Sequence, residues 1–151
     1  MISLIKHNFD NNYLMNISKK QECWPEHIIV IGSGRWARVI LKELCNKVPL
    51  SVTLHIHSRD HAEVINAWLS ESLLNRKIFV SSGWPPPSLS GDKVAAVIVN
   101  AAKDHPVALE WALENCSAVL VEKPMVPSEE MLQKFINLSN KKGCFLAPAH
   151  V

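Results

Sequence analysis

The feature of the sequence that most limits its fold is a glycine-rich turn between two apolar segments. The segment from Ile28 to Ile31 is continuously β-branched, which is typical of a strand covered on both faces of a parallel sheet. It runs directly into Gly32-Ser33-Gly34-Arg35-Trp36-Ala37. The next segment carries apolar residues at helical spacing and stops before Pro49. The pattern therefore predicts a strand, a tight turn and a helix in direct succession.

Apolar runs of strand length alternate with helical patterns along the rest of the chain, which is typical of βαβ units in a parallel sheet. A chain of 151 residues is long enough for one such domain and too short for two. We expect an α/β fold, a doubly wound parallel sheet of the Rossmann type with about six strands. It forms a single domain over residues 26–151, and residues 1–25 form an N-terminal tail or arm. The predicted strands are 28–31, 52–57, 78–80, 94–101, 118–121 and 144–147.

The predicted helices lie between these strands. One follows Gly34, a second covers 61–74, a third has Asp104 as its N-cap, and a fourth extends from Ser128 to Gly143. A proline-rich surface loop is expected at 81–91. Helical spacing predicts four buried faces, formed by Trp36, Ala37, Ile40, Leu41 and Leu44; by Val64, Ile65, Trp68 and Leu69; by Val107, Ala108, Trp111 and Ala112; and by Met131, Leu132, Phe135 and Ile136.

The turn has the form G-x-G-x-x-A, and each small residue has a reason to be there. Gly32 allows the tight turn, Gly34 lets a pyrophosphate approach the backbone, and Ala37 permits close packing of helix on strand. Free amides at the start of the helix supply an anion site. We therefore predict dinucleotide binding through Gly32, Ser33, Gly34, Arg35, Trp36 and Ala37. The alternative is a turn that only needs glycine for its shape; a methyltransferase would usually carry a further glycine and an acidic residue after strand two.

The residues after the second strand bear on the choice of coenzyme. An acidic residue there would bond the ribose hydroxyls of NAD, whereas this chain reads His57-Ser58-Arg59-Asp60. Arg59 offers a planar cation and Ser58 a short donor to a 2′-phosphate. We predict that NADP(H) is preferred to NAD(H). Alternatively, Arg59 is a solvated loop residue and Asp60 caps the next helix.

A second motif, Glu122-Lys123-Pro124, follows the fifth predicted strand. With the glycine motif it resembles the glucose-fructose oxidoreductase, inositol dehydrogenase and MocA family (Gfo/Idh/MocA), over about residues 27–151. The resemblance extends to a strand that ends near Asn100 and to His105, which precedes Glu122 by seventeen positions. The family's A-T-P sequence is replaced here by Asn100-Ala101-Ala102.

The resemblance implies roles for particular residues. Lys123 would lie beside nicotinamide and substrate and assist proton transfer, and Glu122 would hold the lysine in place. Asn100 and His105 would contribute to the coenzyme site on its nicotinamide side. The reaction would be hydride transfer between NADP or NAD and a sugar, cyclitol or related compound. Without the resemblance, Glu122 and Lys123 would be read as an ordinary surface ion pair.

Family members continue into a second domain that carries most of the substrate pocket, and the resemblance does not extend to it. We therefore expect this chain to be inactive alone and to work as a homo-oligomer or with a complementing chain that carries the substrate domain. A non-catalytic dinucleotide-binding or sensing module and a truncated remnant are the alternatives.

Charge and composition exclude several other classes. The net charge is +2 and the basic pairs are scattered, whereas a nucleic-acid-binding protein would concentrate them. No apolar run is long enough to span a membrane or to serve as a signal peptide, so we expect a cytoplasmic protein without a membrane partner. The four cysteines lack C-x-x-C spacing, and His55 and His57 lack ligand-spaced neighbours; we predict no metal site, and we expect the two histidines to be packed or solvated.

Overall fold

The computed structural model describes residues 24–72, 74, 76–89 and 93–149. The predicted N-terminal arm up to residue 23, part of the proline-rich loop and the last two residues of the predicted domain lie outside these residues. Residue 24 leads directly into the first strand of the sheet.

One parallel sheet of six strands organises the described residues, in the order β3-β2-β1-β4-β5-β6. The strands are β1 (His27–Ile31), β2 (Thr53–Ser58), β3 (Ile78–Ser82), β4 (Val94–Ile98), β5 (Ala118–Glu122) and β6 (Phe145–Ala149). The helices are α1 (Arg35–Lys47), α2 (Ala62–Glu71), α3 (His105–Asn115) and α4 (Glu129–Lys142), and a 3-10 turn (Ala102–Asp104) precedes α3. The predicted doubly wound α/β fold is confirmed. None of the described helices is long and apolar enough to cross a bilayer.

Two apolar layers hold the helices on the sheet. Alternate residues of β1 point to opposite faces, so Ile28 and Val30 join the layer under α1 and α2, and Ile29 and Ile31 join the layer under α3 and α4. All four are at most 2% exposed. Because β1 is covered on both sides, its continuous apolar run is explained.

The last helix has the ends that its sequence predicts. The Ser128 Oγ accepts a hydrogen bond from the Met131 amide at 3.2 Å, which satisfies one of the donors at the start of α4. Gly143 ends the helix with a φ of +64°, in the left-handed region that glycine adopts without strain.

Several element ends differ from the prediction: β1, β2, β5 and β6 each begin or end one or two residues away from their predicted bounds, and α2, β4 and β3 end elsewhere as well. The second helix ends at Glu71 and not at residue 74, because the Ser72 hydroxyl donates to the Leu69 carbonyl at 2.8 Å and competes with the helical pattern. Strand β4 ends at Ile98 and not at Ala101, since the backbone then turns into the 3-10 segment. Strand β3 continues to Ser82, two residues into the predicted loop.

Each helix buries a narrower face than its apolar pattern predicts. Trp36, Val64, Val107 and Ile136 were expected inside, but they are 50%, 51%, 45% and 38% exposed. Each lies next to a buried residue and is rotated from it by about 100° around the helix. That rotation places the four side chains at the border of the buried arc. Trp68 and Trp111, the other tryptophans of the predicted faces, are partly buried against the core.

Candidate dinucleotide-binding site

The turn after β1 requires glycine at its first position. Gly32 has a φ of +143°, and a Cβ there would lie 2.8 Å from the Val99 carbonyl oxygen and 3.0 Å from the Asn100 nitrogen. Its amide donates to the His57 carbonyl at 2.8 Å, and the Val99 amide donates to the Ile31 carbonyl at 2.9 Å. The turn is therefore held between the ends of β2 and β4.

The start of α1 is open toward the same side. Gly34 is the N-cap, no side chain caps the helix, and no acidic residue stands in its first turn. A Cβ on Gly34 would meet nothing within 4 Å. The first helical amides, from Arg35 to Ala37, have no acceptor within the helix. Together with the positive end of the helix dipole, they form an anion site with unobstructed access.

A cleft of about 390 Å³ lies over the carboxyl ends of β1, β2 and β4. Such an edge of an open parallel sheet is where ligands bind in doubly wound folds. Six of the predicted cofactor residues line it, namely Gly32, Ser33, Gly34, Ser58, Arg59 and Asn100. The cleft therefore brings together the glycine turn, the end of β2 and the end of β4.

Other predicted cofactor residues lie outside the lining of the cleft. Arg35 lines a separate hollow between α1 and α2, Trp36 is half-exposed, and Ala37 is fully buried under α1. Toward a ligand in the cleft, these three residues offer their backbone amides at the start of the helix. Ala37 also provides the close contact of helix and strand that its small side chain predicts.

Arg59 lies at the mouth of the cleft between an aromatic ring and a carboxylate. Its Cζ is 5.5 Å from the centre of the Trp84 ring, and its Nη1 is 4.0 Å from Asp104 Oδ1. Next to it, the Ser58 Oγ accepts from the His61 amide at 3.2 Å, so the hydroxyl proton of Ser58 remains available to a ligand.

The position of Asp104 corrects its predicted role as a cap. It occupies the N-cap position of α3, but its side chain makes no capping hydrogen bond. Its φ of −98° and ψ of −5° are helical, whereas a capping residue typically has β-region angles. The carboxylate faces Arg59 in the cleft instead.

His57 contributes an uncharged ring to the wall of the cleft. Its Nδ1 lies 3.0 Å from the Ser81 Oγ, and its ring meets Trp84 edge-on at 6.2 Å. Burial lowers the pKa of His57, an effect that a backbone interaction with Gly83 partly offsets. At neutral pH the ring is therefore uncharged and contributes no attraction for a phosphate.

From the sequence, Trp84 could flank an adenine or form an aromatic cover on its loop, and Asp104 and His57 were not assigned to the site. The available signal was the order of the strands: β3 lies beside β2 in a doubly wound sheet, so Trp84, just after β3, has to lie near Arg59. No sequence signal indicated the direction of the Asp104 carboxylate.

Asn100, which lines the cleft, is connected to His105 behind it. His105 is 1% exposed; its Nε2 lies 3.1 Å from the Asn100 carbonyl oxygen and its Nδ1 lies 2.8 Å from the Pro124 carbonyl oxygen. Both ring nitrogens face the backbone, so His105 links the segments after β4 and β5 and does not line the cleft. The Asn100 Oδ1 is buried and has no hydrogen-bond partner among the described residues.

Glu122 and Lys123 stand at the end of β5, outside the lining of the cleft. Glu122 is partly buried and its Oε2 has no partner in the described part of the chain, whereas Lys123 is exposed. The two side chains do not form an ion pair within 4.0 Å, although both residues are described. The structure therefore places them apart, and the bond from Lys123 to Pro124 is cis.

The donors and acceptors of the cleft suit a dinucleotide. The open N-terminus of α1 fits a diphosphate, and the unpaired Asn100 Oδ1 needs a donor such as a hydroxyl or an amide. Arg59 and Trp84 offer a cation and an aromatic ring for a nucleoside. In the described residues, no group of three His, Cys, Asp or Glu side chains could hold a metal ion.

Residues 27–150 match the protein family described as "Oxidoreductase family, NAD-binding Rossmann fold", GFO_IDH_MocA. No curated protein matches the chain in sequence. Among solved structures, the fold is similar to UDP-N-acetylglucosamine 3-dehydrogenase GnnA from Acidithiobacillus ferrooxidans, with 21% identity and a TM-score of 0.63 over 81% of this chain and 37% of that one.

Two further solved structures share the fold. Apo scyllo-inositol dehydrogenase from Lactobacillus casei is 16% identical, with a TM-score of 0.66 over 83% of this chain and 37% of that one. An oxidoreductase from Bacillus cereus is 20% identical, with a TM-score of 0.66 over 81% of this chain and 34% of that one. The chain thus spans little more than a third of the length of the structures it matches.

Proposed function

The chain belongs to the Gfo/Idh/MocA oxidoreductase family, and from this premise we propose that it is the cofactor-binding part of a hydride-transferring enzyme that prefers NADP(H) to NAD(H). The observation that carries the proposal is the open start of α1, where nothing lies within 4 Å of a Cβ on Gly34. A nicotinamide coenzyme bound there would supply the redox chemistry. The protein's own residues bind and orient it.

The amides of Ser33 to Ala37 would hold the diphosphate, and Asn100 Oδ1 would accept a hydrogen bond from the nicotinamide half. Arg59 and Ser58 would hold a 2′-phosphate, since a planar guanidinium and a hydroxyl are suitable donors to that dianion. Support for this assignment comes from their common position at the end of β2 and from the Trp84 ring beside Arg59.

The proposal also assigns the chemistry at the end of β5. We propose that Lys123 transfers a proton at the substrate hydroxyl or carbonyl and that Glu122 orients the lysine once coenzyme and substrate are bound. The substrate class would be a sugar, cyclitol or related compound, and the names of the inositol and UDP-N-acetylglucosamine dehydrogenases support it. A second copy or a complementing chain would supply the rest of the substrate pocket.

Calorimetric titration with NADPH and NADH tests the coenzyme preference. We expect tighter binding of NADPH, and we expect Arg59→Ala to weaken NADPH binding by about tenfold, the cost of one charge-assisted hydrogen bond. NADH binding should change little, since it lacks the 2′-phosphate. Equal affinities for the two coenzymes before and after the substitution would remove Arg59 from the assignment.

Asp104→Asn is the matched control, because it removes the carboxylate 4.0 Å from Arg59 and keeps the arginine. We expect it to strengthen NADPH binding by a few fold, since an exposed ion pair is worth up to about 1 kcal/mol. A variant that weakened NADPH binding as much as Arg59→Ala would indicate damage to the cleft and not loss of a phosphate contact.

A binding module without catalysis is the second candidate. It is favoured by one observation: among the described residues, Glu122 and Lys123 form no ion pair, and both lie outside the lining of the cleft. The two candidates differ in turnover. Binding of NADPH without oxidation or reduction of any polyol, by the chain alone or with a complementing chain, would favour the binding module, and turnover that Lys123→Met abolishes would favour the enzyme.

A further inference from the structure

A basic hollow lies on the outer side of α1, against α2. It is lined by Arg35, Arg38, Val39, Lys42 and Trp68 and has a volume of about 390 Å³. None of these residues lines the cleft at the carboxyl ends of the strands. We call it the α1–α2 hollow.

The three cations are on the same side of α1, because positions three, four and seven residues apart share one face of a helix. Arg38 Cζ lies 5.6 Å and Lys42 Nζ lies 5.8 Å from the centre of the Trp68 ring. Two positive groups therefore converge on one indole, where the attraction of each to the ring is opposed by the repulsion between them.

No carboxylate of the described residues pairs with these three cations. In the described parts of the chain, Arg35, Arg38 and Lys42 have no ion pair within 4.0 Å, whereas other helical lysines do. Lys47 pairs with Glu43 at 3.1 Å, Lys134 with Glu110 at 3.3 Å and Lys142 with Glu114 at 3.4 Å. In addition, the Arg38 Nε is buried and no hydrogen-bond acceptor of the described residues reaches it. Among the described residues, the hollow thus has three cations without an anionic partner and one buried N–H donor without an acceptor.

We propose that the α1–α2 hollow is a second anion site, which binds the phosphate group of a small organic or inorganic phosphate. The guanidinium groups of Arg35 and Arg38 can each bind a phosphate in bidentate fashion. The negative charge of the bound phosphate would relieve the repulsion between Arg38 and Lys42. Val39 and Trp68 give the hollow apolar walls, which suit the carbon skeleton of an organic phosphate.

The indole N–H signal of Trp68 in nitrogen-15 NMR spectra of the full chain tests this site, and the variant Trp68→Phe identifies the signal. Inorganic pyrophosphate and glucose 6-phosphate are the two probes, each titrated at constant ionic strength. We expect a saturable shift of the Trp68 signal. Saturation at lower concentration by glucose 6-phosphate indicates an organic ligand, and the reverse order indicates a free inorganic one.

Arg38→Gln and Lys42→Gln, made singly, should each weaken binding by about tenfold. Lys134→Gln removes a positive charge outside the hollow and should leave the affinity for the probe unchanged. Thermal unfolding of each variant shows whether it still folds, and Lys42 is exposed, so its loss leaves the core intact.

Three results would overturn the proposal. The first is the absence of a saturable shift at Trp68 with either probe. The second is an equal loss of affinity in Lys134→Gln, which would mean general charge attraction. The third is a shift of the Trp84 signal alone, which would place the phosphate in the cleft at the glycine turn.

Discussion

Gly32 and Gly34 are two positions apart, and the structure gives them different requirements. At Gly32, both a φ of +143° and the Val99 carbonyl exclude a Cβ, whereas at Gly34 a Cβ would stand in open space. The first glycine is needed for the backbone to fold. The second is needed only if something approaches the start of α1.

We therefore expect Gly32→Ala to lower the free energy of unfolding by about 2 kcal/mol or more, the cost of a strained backbone conformation with a steric clash. Gly34→Val should keep the unfolding free energy within about 1 kcal/mol and should abolish measurable binding of NADPH. Urea unfolding followed by tryptophan fluorescence and calorimetric titration give the two quantities.

The contrast between the two variants is the test. If Gly34→Val bound NADPH as well as the natural chain, no diphosphate would lie against that backbone. If Gly32→Ala were as stable as the natural chain, the turn would not be constrained as described.

Single residues of the site were predictable where backbone geometry dictates the residue type. Gly32 is such a position, because the neighbouring backbone sterically excludes a side chain there, whereas the requirement for Gly34 depends on the ligand that we propose. The contacts of Asp104 and His105 were not predictable in this way. Each contact depends on the rotamer that the side chain adopts in the folded structure. A sequence shows capping and family patterns, but it does not show rotamers.

At the scale of elements, one row of rings crosses β1, β2 and β3. His55 Nε2 lies 3.1 Å from His27 Nδ1, and its ring stacks on Phe79 with 5.3 Å between the ring centres. His55 is 9% exposed, so of the two environments expected for it, packed or solvated, the structure shows the packed one. Burial, with a smaller contribution from His27, lowers the pKa of His55 to about 4.

This row predicts acid sensitivity of the sheet. Because the folded pKa of about 4 lies below the ordinary value of 6.5, folding disfavours the protonated ring. The stability that the neutral ring contributes is complete above pH 6.5 and is lost as the pH falls from 6.5 toward 4, by about 3 kcal/mol at the end of that range.

Urea unfolding of the natural chain and of His55→Gln at matched pH values isolates the effect from that of the carboxylates. The natural chain should lose about 3 kcal/mol of unfolding free energy relative to His55→Gln between pH 7 and pH 4. A difference that stayed constant with pH would contradict the buried, uncharged state of His55.

The elements themselves could largely be predicted, because a parallel sheet needs continuous apolar runs and each run is followed by a helical pattern. Their ends could not, since single hydrogen bonds decide them. The hydroxyl of Ser72 ends α2 early, and the pairing of Ser82 with Ser58 of β2 continues β3 to Ser82. The buried faces were predicted too wide because a pattern of apolar residues does not show how much of a helix the sheet covers.

At the scale of the whole molecule, the fold brings distant parts of the sequence to one edge of the sheet. Strand β1 lies between β2 and β4, so the glycine turn meets Ser58 and Arg59 on one side and Asn100 on the other. This assembly follows from the strand order of a doubly wound sheet and was predictable. The position of Glu122 and Lys123 outside the lining of the cleft was not, because the family pattern gives their place in the sequence and not the reach of their side chains.

The central claim is that the first amides of α1 hold the diphosphate of a nicotinamide coenzyme. The most direct test is to follow the backbone amide signals of the full chain by nitrogen-15 NMR during a titration with NADPH. The account predicts that the largest saturable shifts fall on Ser33 to Ala37, with smaller ones at Arg59 and Asn100. Saturation of the chain with NADPH while the signals of Ser33 to Ala37 stay in place would contradict it.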